Sequence, residues 1–100
     1  HEVSLLMSVV PKMTKPAAEA VAKAAKHLRD AFKNGSIRTT VSSRQTIKVA
    51  NYYAFLKAHA GASAPMKKAF DKIIYGRGSD DHEVDAMRAV VRNVVNLDNL

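Results

Sequence analysis

Apolar residues recur at helical spacing in five stretches of this 100-residue chain, and each is bracketed by residues that start or stop a helix. That punctuation predicts an all-α bundle of four to five helices. Leu5, Leu6, Val9 and Val10 share one face of a short first helix, which Pro11 ends. Thr14 is a candidate N-cap for the second helix, with Pro16 tolerated in its first turn. Its apolar stripe is Val21, Ala24, Ala25, Leu28 and Phe32, rich enough in alanine for close packing, and Asn34-Gly35 stops it. Residues 36–41 form an ordered connector or a brief extended piece.

The third helix spans about Ser43 to Ala60 and is apolar over much of its circumference: Ile47, Val49, Ala50, Tyr53, Ala54 and Leu56. This predicts a central position, with Arg44, Lys48 and Tyr52 facing out. Gly61 ends it. Ser63 caps a fourth helix with Pro65 near its start and Met66, Ala69, Phe70, Ile73 and Ile74 inward. Gly76-Arg77-Gly78 is a turn. Asp80 and Glu83 have capping-box spacing at the head of a fifth helix, whose inward face is Val84, Met87, Val91, Val94 and Val95.

One domain fills the chain at this length, residues 1–100, with room for a modest core. The chain has no cysteine, so it has neither disulfide nor thiolate metal site, which points to a reducing compartment. No apolar run is long enough to cross a bilayer, and no secretory signal pattern is present, so a cytoplasmic setting is expected. A start at His1 rather than Met suggests a piece of something longer.

Charge is uneven: residues 1–78 carry fourteen Lys/Arg against four Asp/Glu, whereas 79–100 carry two against five. A body this basic suits nucleic acid, a nucleotide or an acidic protein surface. Six aromatics form no spaced stacking platform. A helix-turn-helix reader needs a three- to four-residue turn, and the connector after Asn34 is about twice that length.

Catalytic patterns are missing. His1, His27, His59 and His82 are scattered and lack HExxH spacing. Asp80, Asp81, Glu83 and Asp85 lack the alternating ligands and central Gly of a calcium loop, so no metal is expected, and they suit the first turn of a helix. There is no G-x-S-x-G elbow and no Gly-rich phosphate loop, and Gly76-x-Gly78 alone is a turn.

The most informative local feature is the start of the third helix. Ser42 and Gln45 have capping-box spacing; Arg44 falls in the first turn, and Lys48 follows on the same face. Two cations beside a helix N-terminus can hold a phosphate. The same residues also make an ordinary capped surface helix with solvated cations.

The order of these features resembles the C-terminal helical lid of MoxR-type AAA+ ATPases, the branch with cobaltochelatase small-subunit-like and CbbQ/NorQ-like proteins. Glu2-Val3-Ser4-Leu5-Leu6 through Val10-Pro11 is similar to the family's short helix after the ATPase core. Ala17 to Arg29 looks like its alanine-rich lid helix, and Val41-Ser42-Ser43-Arg44-Gln45-Thr46-Ile47 like its S-x-R segment. The likeness covers about residues 2–95, with Ala69-Phe70 and Ser79-Asp80-Asp81 where such lids place their last helices.

The resemblance implies a nucleotide-sensing lid that is not catalytic alone. Arg44 would be the sensor-2 arginine that reaches the γ-phosphate, with Ser43 and Lys48 supporting the anion or a subunit contact. ATP and Mg would be held only through a core domain that carries the Walker motifs and the arginine finger, all absent here. Partners would be that core, neighbouring subunits of a ring and a client protein of unknown identity. The alternative from the residues alone is a free-standing basic module for nucleic acid or an acidic protein.

Overall fold

The computed structural model describes residues 2–11, 13–60, 64–77 and 80–97. Among the described residues five helices follow one another: α1 (Glu2–Val9), α2 (Lys15–Lys33), α3 (Ser43–Phe55), α4 (Pro65–Ile73) and α5 (Asp81–Arg92). A π turn, Leu56–Ala60, extends α3, and a 3₁₀ turn, Tyr75–Arg77, follows α4. No strand is present among the described residues. The fold is all-α, as the spacing predicts, and residues 36–41 are a connector without strand structure.

Alanine determines how tightly the bundle closes. Ala17, Ala18, Ala24 and Ala25 are buried around more than one side of α2, together with Val21, Leu28 and Ala31. Their small side chains let α1, α3 and α5 all approach that helix. The third helix packs against α1, α2 and α4, so it shares the centre with α2. Phe70 and Met66 from α4, Met87 and Val91 from α5, and Val49 from α3 complete the core.

Local signals place the helix ends. Thr14 caps α2 by accepting from the Ala17 N–H. At the other end Gly35 takes a left-handed φ of 84°. The Ser36 N–H reaches back to the Ala31 carbonyl and the Gly35 N–H to that of Phe32, a paired closure that a residue with a Cβ would strain. Ser42 and Gln45 form the reciprocal capping box at α3. Ser42→Ala is expected to cost about 1 kcal/mol, lowering the urea midpoint without altering the slope of the transition.

Several expectations need correction. Leu6 on α1 and Val10 just past its end are buried, while Leu5 and Val9 are 40% and 45% exposed. This short helix rests on α2 and α3 by a narrow edge, and Val3, Leu6 and Val10 at i, i+3, i+7 fill it. Phe32 is also exposed: it has the inward register but lies in the last turn of α2, where neighbouring helices leave it uncovered. Tyr52 is half-buried because its ring packs against the core, and the Lys72 ammonium lies 5.5 Å from its centroid.

At α5 the cap is one-sided. Asp80 accepts from the Glu83 N–H, but the Glu83 carboxylate is buried and accepts from the backbone N–H of Arg38 at 2.9 Å. The connector after α2 is thereby tied to α5, with Ile37 and Val41 pressed into the core. Val94 and Val95 lie beyond the end of α5 and are half-buried. The expected stop at Gly61, cap at Ser63 and second turn glycine Gly78 lie outside the described residues. The residue that leads into α4 is Ala64, held at a left-handed φ of 49° with no side-chain cap.

Candidate functional site

The head of α3 carries the residues singled out from sequence. Ser42 uses its hydroxyl and Gln45 its amide oxygen to close the box, the Gln45 oxygen accepting from the Ser42 N–H at 3.0 Å. This leaves the N–H groups of Ser43 and Arg44 at the open end of the helix. Ser43, Arg44 and Lys48 are all exposed, the last two one turn apart. Among the described residues, neither Arg44 nor Lys48 enters a hydrogen bond or ion pair. Both cations therefore face solvent beside the positive end of the helix, an arrangement that attracts an anion.

Beneath this surface lies a polar cluster that no short motif announces. Arg29 on α2 grips Glu2 on α1 with two parallel bonds of 2.8 and 3.0 Å. Its Nε donates to the Val41 carbonyl at 2.7 Å, just before the α3 cap. The Thr46 hydroxyl sits 2.9 Å from the second Glu2 oxygen and 2.8 Å from the Ser43 carbonyl, sharing its one proton between them. Thr46 is 1% exposed, so α1, α2 and the first turn of α3 are joined through a largely enclosed network.

Electrostatics follow from this geometry. The Arg29 guanidinium beside Glu2 holds its carboxyl below the ordinary value of 4.5, with the Thr46 hydroxyl helping and partial burial opposing. Glu2 in turn raises Arg29. At neutral pH the pair is fully ionised and cancels its own charge. The field at the mouth of α3 is then set by Arg44, Lys48 and the helix dipole rather than by the carboxylate below.

A second ion pair holds the opposite end of the connector. Arg38 lies 3.1 Å from Asp80 and 3.9 Å from Glu83. The Glu83 N–H, and then Arg38, lower the pKa of Asp80. Arg29 near Val41 and Glu83 near Arg38 thus hold the connector at both ends, on the approach to α3.

Arg44, Ser43 and Lys48 are thus brought to one surface, while Glu2, Arg29 and Thr46 support it from below. These three lie 27 and 44 positions apart, so their meeting leaves no local signature. Among the described residues no three His, Cys, Asp or Glu side chains gather to hold a metal, and no helix is long and apolar enough to cross a membrane. No protein-family model, curated protein or solved structure matches this chain.

Proposed function

We propose that this chain is the nucleotide-sensing helical lid of an AAA+ remodelling ATPase, with Arg44 as the phosphate-facing group. The observation that carries the reading is an exposed, unpartnered arginine in the first turn of a capped helix whose base is fastened by Glu2, Arg29 and Thr46. An arginine suits this role because it stays charged and can direct two N–H bonds onto phosphate oxygens. The likeness of three successive segments to MoxR-type lids supports the same reading.

On this reading the nucleotide and its Mg lie between an α/β core and the lid, in a cytoplasmic ring. Gain or loss of the γ-phosphate shifts the lid against the core and the neighbouring subunit. Ser43 and Lys48 assist at the anion or at a subunit contact. The client protein is not specified by any of these residues. A free-standing nucleic-acid module draws less support: the outward face of α2 interrupts Lys15, Lys23, Lys26 and Lys33 with Glu19 and Asp30, and no aromatic platform accompanies it.

The test is the coding sequence upstream of the codon for His1. The reading requires a G-x-x-x-x-G-K-[ST] phosphate loop about 200 residues earlier, the span of a full α/β domain. An upstream region without that motif removes the proposal. The chain alone is expected to hydrolyse no ATP, and steady turnover by the purified domain would equally overturn it.

A further inference from the structure

The fourth and fifth helices lean on different partners. α4 packs along α3, whereas α5 packs along α2, and the 3₁₀ turn at Tyr75–Arg77 touches both α4 and α5. Between α4 and α5 a half-open cleft of about 490 Å³ remains. That volume lies within the range of small-molecule sites.

Its lining is two-sided in chemistry. Half-buried Val95, with the edges that Tyr75 and Leu97 leave uncovered, supplies the apolar surface. Around them, among the described residues, stand three cations, Lys67 on α4 with Arg88 and Arg92 on α5, against one carboxylate, Asp71. The Arg88 guanidinium is held in place: it lies 5.1 Å from the Tyr75 ring centroid and 3.4 Å from Asp71. Arg92, one turn further on, has no hydrogen bond or ion pair among the described residues. Burial, with Asp71 adding to it, pushes the Tyr75 phenol up to about 12 against the opposing pull of Arg88 and Arg92.

We infer that this cleft is a binding site for a small organic anion with an apolar body, whose carboxylate meets Arg92 while its hydrocarbon part covers Val95 and the uncovered edges of Tyr75 and Leu97. Excess positive charge on the walls selects the anionic group, and the apolar surface discriminates against a bare inorganic ion. Asp71, already engaged with Arg88, disfavours a second negative group on the ligand. This site lies on different helices from Arg44 and does not depend on the reading of α3.

Octanoate is the probe, titrated into ¹⁵N-labelled protein and followed by amide chemical shifts. Saturable shifts confined to α4, the Tyr75 turn and residues 88–97 are expected, with octanol and inorganic phosphate each binding at least tenfold more weakly. R92E is expected to weaken octanoate at least tenfold and R44E to leave it unchanged. K67E, on the opposite wall, should also weaken binding and gives a second test should R92E fail to fold. Equal binding of octanol or of phosphate, shifts spread over the exposed cations of α2, or unaltered affinity in the folded wall variants would each overturn the assignment.

Discussion

Arg29→Met is expected to destabilise the domain by about 2 kcal/mol and to lower its melting temperature by roughly 10 °C. The figure lies between two limits. Exposed ion pairs contribute about 0–1 kcal/mol, and removing one partner of a fully buried pair costs about 3–5. Arg29 and Glu2 keep 29% and 18% of their side-chain surface in water, which places them between. The loss has a particular origin: without the guanidinium, Glu2 stays ionised beside Thr46 and the Val41 carbonyl loses its donor. Glu2→Gln made in the Arg29→Met background should therefore recover part of the stability, and a cycle in which the two changes simply add would refute the coupling.

The same pair sets an acid limit. Because the folded-state pKa of Glu2 is depressed, its contribution is fully present above the ordinary carboxyl value of 4.5 and is lost as pH falls through the lower folded value. The stability difference between the parent domain and Glu2→Gln should stay constant from pH 7 to about 4.5 and shrink below that. Urea melts of the two proteins at matched pH check this directly, since Asp80 titrates in both and drops out of the difference. A gap that widens on acidification would contradict the sign.

What could be read from sequence was mostly local. The closure at Asn34-Gly35 and the box at Ser42–Gln45 involve residues three to five positions apart, so their chemistry is visible in a short window. Glu83 shows where that logic stops. It has the same spacing from Asp80 that Gln45 has from Ser42, but the Arg38 N–H comes within 2.9 Å and takes the carboxylate instead. Tertiary contact overrides the local option because a buried carboxylate costs most when left without a donor. Phe32 and Leu5 reflect a different blindness: periodicity gives the direction of a side chain, not whether another helix extends far enough to cover it. The cleft beside Tyr75 arises from two helices leaning on separate neighbours, which no pattern within either helix encodes. At the candidate site, the exposure of Arg44 was legible, and the clamp beneath it was not.

Arg44→Ala separates a sensing arginine from a structural one. In the isolated domain Arg44 is exposed and has no partner among the described residues, so its loss should change stability by no more than about 0.5 kcal/mol. On the proposed reading, in an assembled ATPase that contains this domain, the same change should reduce turnover by about 2–4 kcal/mol, or roughly 30- to 1000-fold, with a smaller change in nucleotide affinity. The asymmetry follows from where charge builds: a guanidinium aimed at the γ-phosphate gains more as the phosphoryl group departs than in the bound ground state. Arg44→Lys should restore little, since an ammonium cannot make the planar two-bond contact. Arg29→Met in the same assembly supplies the contrast, because it should lower turnover and domain stability together by loosening the base of α3. Steady-state ATPase rates of the three assembled variants, set beside thermal melts of the three isolated domains, measure both quantities. Intact turnover in Arg44→Ala would leave α3 a capped surface helix, and a large loss of stability would assign Arg44 to the fold instead.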